Sequence, residues 1–190
     1  MVQAELFEPP RTLPEGFSYA PDFIEPAQEQ ALLAEIAALE FHEAQYKEWR
    51  ARRRIIAFGG SYDFSRNRLT AAPPIPEFLF ALRDRAAAWA SVASASLQHA
   101  MIAEYRPNTP LGWHRDVAEF GEVIGVSLLG HARMRFRHWP PKPNERACCT
   151  IELEPRSAYL MRGPARWQWQ HAISPTRELR YSITFRTRRV

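Results

Sequence analysis

Two stretches in the N-terminal half of the chain carry apolar residues at the spacing of a helix. In the first, alanine, leucine and isoleucine recur between residues 31 and 39, behind Pro26. Proline is favoured at the first helical position, so this pattern predicts a helix that begins near Pro26 and ends near residue 40. A second stripe, from Phe78 to Trp89, predicts another amphipathic helix. The proline-rich residues 1–16 are typical of an extended arm.

After residue 98 the pattern changes to short runs rich in Val, Ile, Phe, Tyr and Trp, separated by turn residues about every ten positions. The predicted strands are residues 99–105, 122–129, 131–138, 148–153, 158–162, 166–172 and 179–187. Gly130 lies between two of these runs and predicts a hairpin. Two helices followed by such short strands indicate an α+β domain whose core is a β-sandwich or jelly roll.

Composition narrows the class of protein. The 190 residues are 46% hydrophobic and 24% charged, which excludes global disorder. No apolar run approaches the roughly 20 residues of a membrane span, so we expect no membrane partner. The first residues lack the basic start and apolar stretch of a signal peptide. Because Cys148 and Cys149 are adjacent and have none of the spacings of a zinc site, we expect reduced thiols in a cytoplasmic protein.

The basic residues are nearly all arginine, 23 against two lysines, and the formal net charge is +4. Arginine suits phosphates, carboxylates and stacking on bases, but the base composition of a genome also produces an arginine excess without any function. A net charge of this size does not establish nucleic-acid binding. The basic cluster at residues 47–56 is, on charge alone, better explained as a solvated loop.

Three residues could form a metal site. His114 and Asp116 are two positions apart, so on a strand both side chains would leave the same face. His171 follows 55 residues after Asp116, within a predicted strand. Two imidazoles and one carboxylate on one face are typical of the facial triad of non-haem Fe(II) oxygenases. Each part alone also has an ordinary explanation, a chance pair or a hydrogen-bonded core histidine, and we expect the latter for His42, His99, His131 and His138.

The last predicted strand alternates strictly. Its even positions are polar or cationic, and its odd positions are aromatic or aliphatic, which indicates one packed face. The polar face either meets solvent or lies inside the fold. If it lies inside, a buried arginine needs an anionic partner, and a dicarboxylate cosubstrate would supply one through bidentate pairing. The four residues of the polar face are Arg180, Ser182, Thr184 and Arg186.

In their order and spacing, Tyr105, His114-Arg115-Asp116, His171 and Arg180 to Arg186 together resemble the AlkB family of Fe(II)/2-oxoglutarate-dependent dioxygenases, from about residue 17 to 187. The resemblance implies a double-stranded β-helix (jelly-roll) core with the N-terminal helices packed outside. It implies Fe(II) ligands at His114, Asp116 and His171. It also implies that Arg180 holds 2-oxoglutarate with help from Tyr105, and that Ser182 and Arg186 belong to the same cosubstrate motif.

Geometry separates the two arginines of that motif. Six residues of straight strand span roughly 20 Å, which exceeds the length of 2-oxoglutarate. Arg180 and Arg186 therefore cannot hold one carboxylate unless the strand bends strongly. Arg180 is the stronger candidate for the cosubstrate.

The segment before the core resembles, more loosely, the lid that covers a flipped base in family members acting on nucleic acid. Arg53, Phe58-Gly59 and Tyr62 match its arginine, aromatic-glycine and tyrosine. This implies that Tyr62 stacks on a base and that Arg53 meets phosphate. Tyr62 could equally be a core residue. The implied organisation is an arm at 1–16, helices and lid at 17–97 and the catalytic core at 98–190.

The sequence departs from the family at three positions. Ala103 and Ser182 stand where asparagine is common, which weakens the expected grip on 2-oxoglutarate. Ala118 stands where members that repair cationic bases often carry an acidic residue, so a neutral adduct becomes a candidate substrate.

The resemblance implies an enzyme that uses Fe(II), 2-oxoglutarate and O2 to remove alkyl groups from nucleic-acid bases, and we expect this enzyme to be a monomer. Oxygen and 2-oxoglutarate would yield succinate, CO2 and an oxidant that hydroxylates an N-alkyl carbon, and the alkyl group would depart as an aldehyde. Two alternatives remain: the same chemistry on a protein or small molecule, or a binding module without turnover.

Overall fold

Two antiparallel sheets enclose the interior of the protein in this computed structural model, which describes residues 12–46, 49–63, 68–143 and 147–189. The strands in these residues are β1 (Phe17–Ala20), β2 (His42–Tyr46), β3 (Trp49–Phe58), β4 (Ser61–Asp63), β5 (Arg68–Thr70), β6 (Leu97–Tyr105), β7 (Leu111–His114), β8 (Phe120–Leu129), β9 (Ala132–His138), β10 (Cys149–Leu153), β11 (Ala158–Met161), β12 (Trp169–Ile173) and β13 (Arg180–Arg188). The major sheet has the order β1-β11-β8-β13-β6-β3-β2, and the minor sheet has the order β10-β9-β12-β7. Strands β4 and β5 form a separate hairpin.

The two predicted helices are confirmed, and both cover the outer face of the major sheet. Helix α1 (Pro26–Ala37) begins at the proline, and the Gln28 side chain accepts the Glu25 backbone N–H at 3.0 Å in a capping box. Helix α2 (Phe80–Ala90) ends at Ser91, whose left-handed backbone stops it. The buried residues that join the helices to the sheet are Leu32, Ile36, Leu82, Ala86, Ala90, Ile124, Val126 and Phe185.

Strand β13 lies at the centre of the major sheet and pairs with β6 on one side and β8 on the other. Its odd residues, such as Ile183 and Phe185, pack towards the helices, while its even residues face the space between the two sheets. Arg180, Ser182 and Arg186 are all buried there. The polar face of the predicted strand is therefore the interior one, and the jelly-roll-like architecture of the α+β prediction is confirmed.

The prediction of a solvated loop at residues 47–56 is wrong, because β3 crosses most of this stretch and pairs with β2 and β6. One of its arginines, Arg54, is paired with a carboxylate on the neighbouring strand. Arg54 donates two hydrogen bonds to the Glu104 carboxylate opposite it on β6, at 2.8 and 2.7 Å, and Arg106 donates a third at 3.0 Å. Residues 47 and 48 lie outside the described part. The boundaries 17–97 and 98–190 stay a prediction, although β1, β2 and β3 add to the major sheet.

The predicted hairpin at Gly130 is also wrong, because β8 belongs to the major sheet and β9 to the minor sheet. The Gly130 N–H donates to the Leu179 carbonyl at 3.1 Å, and a Cβ at this position would lie 2.8 Å from that oxygen. The glycine thus allows a close backbone contact where the chain crosses between sheets. Local turn chemistry does not distinguish such a crossing from a hairpin.

The strand predicted at 166–172 begins later than expected. Pro164 lies in the first turn of a short helix, α3 (Gly163–Trp167), and β12 starts at Trp169. The aromatic residues of this segment suggested a strand, but the proline favours a helical start. His171 nevertheless lies in β12 as expected.

Two further expectations concern the whole chain. None of the described helices has the length and apolar character needed to span a membrane. Cys148 and Cys149 are thiols rather than a disulfide.

Removing the Phe185 side chain is expected to lower the free energy of unfolding by about 3–5 kcal/mol, because it leaves a cavity in the fully buried contact between β13 and the helices. The matched control is Phe80→Ala on α2, since Phe80 is 39% exposed, and this change is expected to cost less than about 1 kcal/mol. Urea unfolding followed by circular dichroism measures both. Similar losses in the two variants would contradict the assigned core.

Candidate metal centre

Antiparallel pairing of β7 and β12 places His114 directly opposite His171. Their ring centroids are 4.2 Å apart. Asp116 follows two residues after His114, and its Oδ2 lies 3.8 Å from His171 Nε2. One ligand atom from each of the three residues lies within 4.8 Å of the other two, which is close enough for all three to share a metal ion.

The two imidazoles are in the state that a metal requires. Burial lowers the pKa of both His114 and His171, so both rings are neutral at physiological pH. The His114 Nδ1 lies 2.9 Å from the Gly112 carbonyl, which fixes the tautomer with the proton on Nδ1. The Nε2 lone pair of His114 is then left for an ion.

The third residue, Asp116, is ionised for a different reason. Burial alone would raise its pKa, but the charge of the Arg186 guanidinium, with a smaller contribution from Arg166, outweighs this effect and holds the pKa well below its usual range. Arg186 Nε donates to Oδ1 of Asp116 at 2.9 Å. The second oxygen, Oδ2, faces His171. A carboxylate held in this way presents one oxygen to an ion and keeps the other in a hydrogen bond.

His99 continues this chain of contacts away from the three residues. Its Nδ1 lies 3.3 Å from Nη1 of Arg186, and its ring packs against Phe120 with the centroids 4.4 Å apart. Burial and the neighbouring Arg186 charge lower the pKa of His99 to about 3, so Nδ1 accepts the hydrogen bond. Sequence analysis treated His99 as an ordinary core histidine. The sequence did contain one indication of this position. Residues 99 and 105 are an even number of positions apart in one predicted strand, so their side chains face the same side of the sheet.

A second buried cation, Arg180, occupies the other end of the interior face of β13. It is 1% exposed, donates to Ser127 Oγ at 2.8 Å, and lies with its Cζ 5.1 Å from the centre of the Tyr105 ring. Its Nε has no hydrogen-bond partner, and no carboxylate among the described residues pairs with it. Burial lowers the pKa of Arg180, which is the expected cost of enclosing a charge without a counter-ion.

The residues around Arg180 include Ser182 and Tyr105 from the predicted set, both buried. Tyr159, a further residue near Arg180, was not predicted from the sequence. Burial raises the pKa of its phenol, so the phenol is neutral and can donate a hydrogen bond. The charges of both Asp116 and Arg180 act on the Tyr159 hydroxyl, so it lies near both. A Cβ on Gly125 would overlap the Tyr159 ring, and Phe17 of β1 stacks on the ring at 6.1 Å. Tyr159 lies in a short, wholly apolar run, so no sequence signal marked it.

Arg166 fixes the loop that follows Asp116. It is 2% exposed and donates to three backbone carbonyls, those of Val117, Phe120 and Gly121, at 2.7, 2.8 and 2.9 Å. Satisfying these carbonyls holds the backbone that carries Asp116 in one position. Sequence analysis missed Arg166 as well, because it placed this residue at the start of a strand.

One predicted lid residue, Arg53, lies near His114, and the other, Tyr62, contacts the loop after Asp116. Arg53 is buried, and its charge contributes to the lowered pKa of His114, so the two are near each other. Tyr62 on β4 is half-buried, and a hydrogen bond to Glu119 contributes to its raised pKa. Glu119 belongs to the loop after Asp116, so the β4–β5 hairpin contacts that loop. Whether Arg53 and Tyr62 bind substrate stays a prediction.

The chain is similar to a known sequence family and to several known proteins. The sequence model of the 2OG-Fe(II) oxygenase superfamily matches residues 16–186. An uncharacterized protein of Acanthamoeba polyphaga mimivirus is 27% identical over 187 residues, which cover 90% of this chain and 84% of that protein. The Alkylated DNA repair protein ALKBH8 homolog of Arabidopsis thaliana is 26% identical over 180 residues, with 83% of this chain and 50% of that protein covered.

Two further similarities extend the comparison. The tRNA (carboxymethyluridine(34)-5-O)-methyltransferase alkbh8 of Xenopus tropicalis is 26% identical over 186 residues, which cover 92% of this chain and 27% of that protein. The chain thus spans half or less of the two relatives that carry ALKBH8 names. The structure of OsALKBH1 superposes with a TM-score of 0.71 at 16% identity, covering 95% of this chain and 100% of that one, which shows a shared fold.

The match over residues 16–186 agrees with the jelly-roll-like fold and with the His-Asp-His cluster between the sheets. The chain therefore belongs to the 2OG-Fe(II) oxygenase superfamily, whose members use Fe(II), 2-oxoglutarate and O2, and within that superfamily it is AlkB-like.

Proposed function

We propose that this oxygenase oxidatively removes alkyl groups from the bases of nucleic acid. The observation that carries the proposal is the position of Arg53 and Tyr62, a cation near His114 and an aromatic residue hydrogen-bonded to Glu119 in the loop after Asp116. An aromatic ring stacks on an extruded base, and a cation meets phosphate. Two relatives support the same substrate class, since their names refer to alkylated DNA repair and to a tRNA modification.

We assign Fe(II) to His114, Asp116 and His171. The donor set fits, because two neutral imidazoles and one ionised carboxylate are the ligands of a facial triad with open positions. When bound with 2-oxoglutarate and O2, the metal supplies the oxidising chemistry that hydroxylates an N-alkyl carbon. The hydroxylated group then leaves as an aldehyde. The protein contributes the orientation of the ligands, through Gly112 on His114 and Arg186 on Asp116.

We assign the distal carboxylate of 2-oxoglutarate to Arg180. A buried guanidinium with no carboxylate partner among the described residues fits an anion that arrives with the cosubstrate. Tyr105 and Ser182 lie beside it on the same interior face, and Ser127 already accepts one of its N–H groups at 2.8 Å. Asparagine is common in the family at the positions of Ala103 and Ser182. In this chain the hydroxyl groups of Tyr105, Ser127 and Ser182 would make hydrogen bonds in place of those amides.

Arg186 has a different role in this proposal. Its Nε donates to Asp116, six residues of strand away from Arg180, so it acts on the metal end of the interior rather than on the distal carboxylate. We infer that Arg186 orients the Asp116 carboxylate and that its part in the cosubstrate motif is indirect. His99 supports it by accepting a hydrogen bond from the other side of the guanidinium.

The loop after Asp116 bears on the choice of base. Ala118 is exposed in this loop and offers no carboxylate to a positively charged base such as 1-methyladenine or 3-methylcytosine. Glu119 is engaged by Tyr62. We therefore favour a neutral adduct, such as an etheno base, as the substrate.

The substrate class is tested with a panel of oligonucleotides, single- and double-stranded DNA and RNA, that carry cationic or neutral adducts. Incubation with Fe(II), 2-oxoglutarate and O2 is expected to restore the unmodified base, most rapidly for a neutral adduct, as read by mass spectrometry. Succinate formation without any change in the oligonucleotides would instead favour a protein or small-molecule substrate. The absence of succinate above a metal-free control would favour a binding module.

Changing both His114 and Asp116 to alanine is expected to abolish Fe(II)-dependent succinate formation and to weaken Mn(II) binding by at least about 100-fold, since one ligand remains of three. Isothermal titration calorimetry measures the metal affinity. The matched control, His131→Ala with Asp84→Ala, removes one exposed histidine and one exposed aspartate elsewhere and is expected to change neither value. Unchanged turnover in the first variant would refute the metal assignment.

Replacing Arg180 with methionine is expected to weaken the binding of 2-oxoglutarate without lowering the stability of the protein. The KM for 2-oxoglutarate should rise by about 100-fold, because two charge-assisted hydrogen bonds to its carboxylate are lost. The thermal midpoint of the metal-free protein should hold or rise, because a buried charge without a carboxylate partner is removed. Differential scanning fluorimetry and succinate assays measure the two. A lower midpoint with an unchanged KM would mean that Arg180 is structural.

A further inference from the structure

Arginines stacked on tryptophan rings cover the outer face of the minor sheet. Strand β7 directs His114 into the interior, so its neighbour Trp113 lies on the outer face. Two arginines of β9, Arg137 and Arg135, lie over the Trp113 ring with their Cζ atoms 4.6 and 5.1 Å from its centre. Arg137 also donates to Gln170 Oε1 at 2.7 Å.

The same arrangement recurs at the rim, beside the candidate metal centre. Arg115, the residue between His114 and Asp116, is exposed and lies with its Cζ 4.7 Å from the Trp139 ring centre. It also donates to the Trp167 carbonyl at 2.9 Å. Trp139 is 43% exposed, and its backbone N–H donates to the Gln168 carbonyl at 2.8 Å, so its ring is held at the surface. We call Trp113, Arg115, Arg135, Arg137 and Trp139 the Arg–Trp face.

The three arginines of this face have no carboxylate partner among residues 12–46, 49–63, 68–143 and 147–189. Arg133, one position along the same outward row of β9, shows the contrast, since it donates to Glu152 at 2.6 Å. Stacking on a ring orients a guanidinium and leaves part of its N–H groups available to a ligand. The Nε of Arg135 is buried, the Nε of Arg137 donates to Gln170 and Nη1 of Arg115 to the Trp167 carbonyl, so a ligand would meet the remaining N–H groups. The Arg–Trp face is therefore a row of positive charges with an exposed aromatic ring beside Arg115.

We propose that the Arg–Trp face binds the phosphate backbone of a single-stranded segment of nucleic acid, with Trp139 stacking on one of its bases. Charge complementarity selects a polyanion, and the exposed indole beside the cations selects a nucleic acid over an acidic peptide. The segment would flank the nucleotide at the metal centre, because Arg115 adjoins two of the three candidate ligands. This last point depends on the proposed function, whereas binding by the face does not.

The test measures the affinity of the full chain for a labelled single-stranded oligonucleotide by fluorescence anisotropy, over a range of salt concentrations. Arg135→Gln with Arg137→Gln is expected to weaken binding by at least about tenfold at low salt, because two phosphate contacts are lost. The slope of log K against log salt should become shallower by about 1.4, since each contact to a single strand contributes about 0.7. Trp139→Ala should weaken binding about fivefold or more at an unchanged slope.

The matched control is Arg83→Gln with Arg85→Gln on α2, on the far side of the major sheet. These two arginines also lie over aromatic rings, those of Phe80 and Phe23, and their loss lowers the net charge by the same amount. A thermal midpoint for each variant checks that the fold is retained.

Five results separate the proposal from its alternatives. Equal losses in the two double variants, or no binding by the wild-type chain, would overturn it. Competition by polyglutamate as effective as that by an oligonucleotide of equal charge, with no effect of Trp139→Ala, would overturn nucleic acid as the partner. Arginine-dependent binding without dealkylation of any adduct would support this inference and refute the proposed function. Dealkylation by the wild-type chain with arginine-independent binding would refute this inference alone.

Discussion

Positive charge enclosed between the two sheets is the constraint on which the rest of this structure depends. The interior face of β13 carries Arg180 near one end and Arg186 near the other, and both are buried. Enclosing a guanidinium without a counter-ion costs several kcal/mol in proteins, on the order of 3–5 when a buried pair loses one partner. The protein neutralises Arg186 with Asp116 and gives Arg180 only hydroxyls and a ring. One charge is thus paired within the fold, and the other has no carboxylate partner among the described residues.

The candidate metal centre inherits its geometry from the same interior. Its imidazoles come from adjacent strands of the minor sheet, while the arginine that holds its carboxylate comes from the major sheet. Arg166 fixes the loop after Asp116 through three carbonyls, and His99 holds Arg186 from behind. The centre therefore exists only when both sheets are in place. If these residues hold the metal as proposed, we expect its affinity to be coupled to folding.

The elements predicted correctly from the sequence are those that depend on residues close to one another in the chain. Proline at the start of α1 and the strict alternation of β13 are both visible in short windows of the sequence. The predictions were wrong where a distant partner decides the structure. The basic stretch forms β3 because it pairs with β2 and β6, and Gly130 marks a crossing because β9 pairs in the other sheet. His99 and Tyr159 needed the strand register before their side chains could be placed.

The position of the Tyr159 side chain in the interior depends on Gly125 and on a residue of β1. The phenol lies near both Asp116 and Arg180, and its ring occupies the volume that a side chain at residue 125 would fill. Phe17 of β1 stacks on the Tyr159 ring and limits its movement. The position of the phenol near the two charges therefore depends on the missing side chain at Gly125 and on Phe17 of β1. A substitution at Phe17 would move the Tyr159 phenol relative to both charges.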